Sequence, residues 1–285
     1  MIIDVHTHAF PPEVCRYREK YMENEWAFKT LYGHPRARMV TSEELVQAMD
    51  EHGVDMSFVF GFPWVDKELA RRHNDYILES ASKYPHRLIP LVCVNPARDY
   101  ATQEVERCLK AGARGAGELA VYGNCDADAL IERYRDIGEV TRRHGGFLLI
   151  HANEPVGHKY PGKAPQGLQF YYEVVKALPE IPVILAHWGG GLFFFELLKK
   201  EAKDILKNVY YDTAASPFLY DSRIYSIAAE ILGANKILLG TDYPLLPPER
   251  YIKEMQESGI PEDRVRAISG GNALRILDFY RAHSG

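Results

Sequence analysis

Near its start the chain reads Asp4-Val5-His6-Thr7-His8. In an extended strand alternate side chains share a face. His6 and His8 therefore point the same way, and two imidazoles on one face can chelate a divalent cation. The pair is weak by itself, because H-x-H occurs by chance and often marks only a surface pair. Four more side chains of ligand type, Glu118, His151, His187 and Asp242, each follow an apolar strand-like run and precede loop-like residues. Six such groups at one kind of strand end form a much less accidental pattern. Nitrogen and carboxylate donors without thiolate suit zinc first, with manganese, iron and cobalt as alternatives. Such an ion would activate water and polarise a carbonyl or phosphoryl oxygen. Asp242 could serve as a ligand and also take a proton from the attacking water.

Positioning six groups in this way needs a repeated scaffold. Strand-like runs fall at Ile2–His6, Met56–Phe60, Leu88–Val94, Gly115–Val121, Phe147–His151, Val183–His187, Val209–Asp212 and Lys236–Thr241. They are short and apolar with few charges, as expected of strands buried on both faces. Helix-like stretches separate them: 42–49, where Thr41 or Ser42 is the N-cap, then 67–84, 100–111, 128–144, 168–178, 192–206, 222–232 and 248–258. Gly53, Gly112, Gly145 and Gly233 stand where helices should end. Strict alternation of this kind predicts a (β/α)8 TIM barrel, α/β in class, in which strand C-termini converge on one face. Residues 1–285 read as a single domain, with a lid-like insertion around 10–40 and a helical tail around 261–282.

The 285 residues are 46% hydrophobic and carry a formal net charge of -5. That is enough for one large core, and the mild acidity argues against nucleic acid or a membrane surface as partner. No run is long enough to span a bilayer and no signal peptide is visible. Cys15, Cys93, Cys108 and Cys125 are scattered without a C-x-x-C pair, so the expectation is reduced packing thiols in a cytoplasmic protein.

Asp4-x-His6-x-His8, the strand-end His151 and His187, and Gly240-Thr241-Asp242-Tyr243-Pro244 together resemble the amidohydrolase superfamily. The most similar branch is the amidohydrolase-2 group, related to aminocarboxymuconate-semialdehyde decarboxylase. The resemblance spans essentially the whole chain and implies a distorted (β/α)8 barrel with one or two divalent metals. It implies His6, His8, His151 and Asp242 as ligands, and His187 as either a second-metal ligand or the base that polarises substrate. Much of the superfamily places a carboxylated Lys on the fourth strand, but Arg114–Ala120 offers none. Its Gly-Glu is similar to the TatD-type pattern, in which a Glu bridges two metals. Glu118 is thus a bridge, favouring hydrolysis, or a partner beside a single metal, as in the decarboxylases.

The substrate-side candidates are Asn153, His158, Lys159, Tyr160 and Lys163, in the long segment after the fifth strand. The lysines would attract a carboxylate or phosphate, or else are simply solvated. Gly189-Gly190-Gly191 would hold an anion on exposed N–H groups or ease a tight turn. Asp212 is expected to orient a ligand rather than bind metal. The aromatic segment 10–40 suits a lid or a contact between copies in a homo-oligomer.

The leading expectation is a metal-dependent hydrolase acting on an ester, lactone, amide or phosphoester of a small anionic substrate, with Asp242 managing the proton and His187 assisting. The alternative is a non-oxidative decarboxylase of an aromatic or unsaturated carboxylic acid, with His187 or Asp242 protonating the carbon that loses CO₂. A third reading, a non-catalytic ligand-binding barrel, fits poorly with a complete ligand set.

Overall fold

The computed structural model describes residues 1–283. Eight parallel strands run in chain order around one sheet: β1 (Ile3–His8), β2 (Met56–Phe60), β3 (Leu88–Val92), β4 (Gly115–Leu119), β5 (Phe147–Ile150), β6 (Val183–Leu185), β7 (Val209–Asp212) and β8 (Ile237–Leu238). The ring is drawn together between its ends by Val5 N–H donating to Leu239 O at 2.8 Å and His8 N–H donating to Tyr243 O at 2.9 Å. Apart from Met56, Ile89 and Tyr210, every strand residue is buried. Burial on both faces is what parallel strands flanked by helices require, and the (β/α)8 barrel read from the alternation is the fold.

Helices α1 (Pro12–Arg16) and α2 (Trp26–Tyr32) lie in the segment after β1. The outer ring follows with α3 (Ser42–His52), α4 (Lys67–Lys83), α5 (Ala101–Lys110), α6 (Ala127–Arg143), α7 (Leu168–Lys176), α8 (Lys200–Ile205), α9 (Ser216–Leu219), α10 (Ile224–Leu232) and α11 (Pro248–Glu257). Thr41 caps α3 in a capping box with Glu44, and Gly53 ends it in the left-handed conformation. Asp66 and Asp126 cap α4 and α6. The tail forms α12 (Glu262–Arg266) and α13 (Asn272–His283). Ala273, Ile276 and Leu277 join the inner cluster of Ile3, Val5, Phe58 and Phe147. Gly270 passes so close to the first strand that a Cβ would meet Met1 O at 2.7 Å.

Strands β3, β4 and β6 end two residues earlier than expected, and three larger differences bear on the site. The first strand runs on to His8, past a register shift between Asp4 and Thr7. The last has only two ladder residues, because side chains take over the next amides: Thr213 Oγ1 accepts from Gly240 N–H, and Asp4 Oδ1 from Thr241 N–H. The helix expected over 192–206 is instead a 3-10 segment, His187–Leu197, followed by the short α8. Trp188, Gly189, Gly190 and Gly191 all have left-handed φ/ψ there, which α-helix cannot accommodate.

Candidate metal centre

The C-terminal ends of the strands bring His6, His8, Glu118, His151, His187 and Asp242 to one place. His6 and His8 close β1, their rings 5.5 Å apart and both edge-on to Phe60 of β2. Glu118 is on β4, and His151, His187 and Asp242 follow β5, β6 and β8. His8 Nε2 lies 3.3 Å from Asp242 Oδ1 and 3.9 Å from Glu118 Oε2, and His6 Nε2 lies 3.6 Å and 3.8 Å from the same two carboxylates. Glu118 Oε1 is 2.8 Å from His151 Nδ1 and 3.5 Å from His187 Nε2. Three overlapping triplets offer ligand atoms close enough to share an ion: His6, His8 and Glu118; His6, His187 and Asp242; Glu118, His151 and His187.

Backbone and side-chain props orient these groups. Asp212, at the end of β7, takes His6 Nδ1 at 2.8 Å on one oxygen, and the N–H groups of His187 and Ala214 on the other. His187 Nδ1 is 3.0 Å from Ala214 O and His8 Nδ1 is 3.1 Å from Gly61 O. In each case the bond fixes the ring and leaves the far nitrogen for the centre. Asp4 accepts from His6 N–H and from both the N–H and hydroxyl of Thr241, which straps β1 to the residue before Asp242. His187 and Asp242 themselves sit at φ 55 and 59, a region costly for a side-chain-bearing residue.

The donor set fits a divalent metal. His6 Nε2 and His151 Nε2 are buried without a hydrogen-bond partner, a situation native interiors rarely tolerate. The electrostatics agree. Burial works against a charged His6, but the Asp212 and Glu118 carboxylates outweigh it and raise its pKa to about 10. For Glu118, burial is likewise overcome by His151 and His6, which hold its carboxyl well below the usual range. For Asp242, the hydrogen bond from His8 and the surrounding imidazoles overcome burial in the same direction. The His6 imidazole is thus pulled toward protonation by a cluster short of positive charge, which a cation would supply.

The substrate-side candidates are arranged differently. Asn153 is buried, and its Oδ1 accepts from Ala164 N–H at 2.7 Å, so it folds the loop. Glu154, not singled out from the sequence, accepts from the Tyr160 hydroxyl and from Lys163 Nζ, both at 2.9 Å. The Lys163 charge is therefore already paired. His158 and Lys159 are exposed on the same loop. Gly189–Gly191 make a tight turn: a Cβ on Gly190 would meet Asn153 O at 2.2 Å. Sequence reasoning missed Tyr32, at the end of α2, whose phenol feels the Asp242 and Glu118 charges, and Tyr122, in the loop after β4, whose ring lies 5.6 Å from that of His151. Only the aromatic content of the 10–40 segment pointed toward the first.

The family model described as amidohydrolase matches residues 3–279. A 2-amino-3-carboxymuconate-6-semialdehyde decarboxylase of Dictyostelium discoideum is 24% identical, over 96% of this chain and 91% of that protein. A gamma-resorcylate decarboxylase of Polaromonas sp. is 24% identical, over 86% and 90%. Among solved structures, 5-carboxyvanillate decarboxylase from Sphingomonas paucimobilis superimposes with a TM-score of 0.72 at 18% identity, covering 97% of this chain and 98% of that one. A 2,6-dihydroxybenzoate decarboxylase gives 0.70 at 19%, over 97% and 99%. These similar proteins are decarboxylases, and that overturns the expectation of a hydrolase: the ligand pattern from which hydrolysis was read is common to both chemistries. No described helix is long and apolar enough to cross a membrane. With its barrel, its ring of strand-end ligands and a family match over nearly its whole length, the chain belongs to the amidohydrolase family.

Proposed function

We propose that the protein is a metal-dependent, non-oxidative decarboxylase of an aromatic or unsaturated carboxylic acid. The observation that carries this reading is its similarity, over nearly the full length, to proteins named as decarboxylases. His6, His8, His151 and Asp242 would hold one divalent ion, with Glu118 as the carboxylate partner of His151. The ion, when bound, supplies the positive charge that fixes the substrate's oxygen groups and draws electron density from its ring. A structure similar to this chain carries manganese, so manganese joins zinc as the ion to test first.

His187 would be the proton donor. Its Nδ1 is tied to the Ala214 carbonyl, so only Nε2 faces the cluster. The carbon–carboxylate bond breaks, its electron pair stays on the substrate carbon, and the Nε2 proton is delivered there as CO₂ leaves. The balance needs no oxidant or reductant. Asp242 is better suited to ligation, because it lies among three imidazoles rather than beside a free donor position.

Hydroxybenzoates and unsaturated acids incubated with manganese- or zinc-loaded protein in deuterium oxide test this directly. Release of CO₂ with one deuteron at the vacated carbon is expected, and His187→Gln should lower the rate at least ~100-fold with ion content unchanged. Absence of CO₂ release across both substrate classes would sink the reading. Metal analysis of wild type and Glu118→Gln checks the count. About one ion per chain in both supports a single centre, whereas two ions falling to one would make Glu118 a bridge.

A further inference from the structure

The imidazoles of the centre are aimed by hydrogen bonds of their Nδ1 atoms, with Asp212, Gly61, Glu118 and Ala214. Asp242 has no such far atom. Its carboxylate sits one carbon from the main chain, so its aim follows from the two peptide planes that flank it. The plane after Asp242 is fixed by local bonds. Tyr243 N–H donates to Thr241 Oγ1 at 3.1 Å, and Asp242 O accepts from Leu245 N–H at 2.8 Å. The plane before it, which sets the Asp242 φ at 59, is held from another element. Its carbonyl, Thr241 O, accepts from the Tyr251 hydroxyl at 2.6 Å.

Tyr251 belongs to α11 and is completely buried. Burial first, and then the charges of Asp242 and Asp4, push its phenol upward, so it remains a neutral donor at physiological pH. Phenylalanine would fill the same space but leave Thr241 O buried without this donor, a situation native interiors rarely tolerate. The left-handed φ of Asp242 is already costly for a residue with a side chain. Both penalties fall if the peptide between Thr241 and Asp242 turns. Turning it swings the carboxylate away from His8 Nε2, at 3.3 Å, and His6 Nε2, at 3.6 Å. Tyr100 offers a comparison. It too is a buried phenol that donates to a backbone carbonyl, but that carbonyl belongs to Trp64, in the loop after β2, which carries none of the six ligand-type side chains.

We propose that Tyr251 is a positioning residue for the metal: by holding the Thr241 carbonyl, its hydroxyl fixes the peptide that aims the Asp242 carboxylate. Helix α11 thereby sets the affinity of the centre without touching the ion. This deepens the reading given under the proposed function and rests on it for the role of Asp242 as a ligand.

Competition for manganese between a chelating dye and the full chain, stripped and reloaded, tests it. Tyr-to-Phe changes conserve the packing of the ring, and circular dichroism checks that each variant is folded. Tyr251→Phe should bind the ion ~10-fold more weakly, whereas Tyr100→Phe, which loses the same kind of bond, should match wild type. In an Asp242→Asn background, Tyr251→Phe should cost nothing further, because the group it aims is already gone. The electron paramagnetic resonance spectrum of bound manganese should change in Tyr251→Phe and not in Tyr100→Phe. Wild-type affinity in folded Tyr251→Phe overturns the proposal. So does an equal loss in Tyr100→Phe, or a loss that is undiminished in the Asp242→Asn background. Asp242→Asn with wild-type affinity removes the ligand reading and this proposal together, whereas a weakened Asp242→Asn beside an unaffected Tyr251→Phe removes the proposal alone. Absence of CO₂ release by wild type bears on the reaction only, because the affinity comparison needs no turnover.

Discussion

At the scale of single residues, the centre spends stability on geometry. Asp242 has φ 59, a conformation that Asn and Gly adopt more readily than other residues, and its carboxylate is crowded among buried groups. Asp242→Asn should therefore lose most of its metal and, metal-free, stay more stable than Asp242→Ala, since both lose the carboxylate's imidazole contacts but Asn adopts this conformation more readily. Thermal unfolding with metal analysis checks both halves, and an alanine variant as stable as the asparagine one would refute the strain argument. Asp212 is the opposite case, a group that touches no substrate yet orients two ligands. One oxygen receives His6 Nδ1 and the other two backbone N–H groups. Asn has one acceptor and one donor in their place, so one of these bonds becomes a donor facing a donor. Asp212→Asn should weaken metal affinity ~10–100-fold with the barrel intact, measured by competition against a chelating dye.

At the scale of elements, α4 is locked onto β1 and β2 by one buried histidine. His73 Nε2 bonds Ala9 O at 2.7 Å, and its Nδ1 accepts from Trp64 Nε1–H at 2.9 Å. Protonation at Nδ1 would turn that acceptor into a donor, and burial, the main cause, lowers the pKa from 6.5 to about 4. The unfolded chain thus binds the proton first as pH falls. The contribution is complete above about 6.5 and is lost as pH falls through about 4, a loss of roughly 3 kcal/mol. His73→Gln cannot take up this proton, so the stability gap between wild type and variant, read from urea unfolding, should shrink by about that amount between pH 7 and pH 4. A constant gap would mean that His73 does not titrate as its contacts require. The same scale shows what could be read in advance. The six ligand-type side chains were legible because each ends or follows an apolar run, and in a parallel barrel all such ends meet. The turn after β6 was legible only as glycines, since its left-handed run begins at His187 and Trp188, which do not mark such a turn in a sequence as glycine does. The meeting of Tyr32 with Phe62 was not legible, because it joins the end of α2 to the loop after β2, whose approach depends on the packing of Phe10, Phe28 and Trp64 between them. The pairing of Glu154 with Lys163 was hidden for a related reason: a loop's sequence does not show which of its charges turn toward each other.

At the scale of the molecule, the centre exists only when the ring is closed. Its groups come from β1, β4 and the segments after β5, β6 and β8, and the unfolded chain cannot assemble them. An ion therefore binds the native state almost exclusively, and its binding free energy adds to the stability of the whole barrel. At a free ion concentration about 1,000 times the dissociation constant the gain is roughly 4 kcal/mol. For a chain of this length each kcal/mol moves the melting temperature by about 2 °C. Chelation should lower Tm by roughly 8 °C, and manganese or zinc should restore it. The sequence at the centre predicts how that effect is distributed. His6→Ala should abolish the metal-dependent part of Tm, because its Nε2 lies within 3.8 Å of both central carboxylates. Tyr122→Phe, at the border, should retain it in full. A chelator-insensitive Tm in protein shown to contain metal would place the ion away from this ring, since an ion whose ligands come from three separate segments of the barrel, β1 and those after β5 and β8, cannot leave without loosening them.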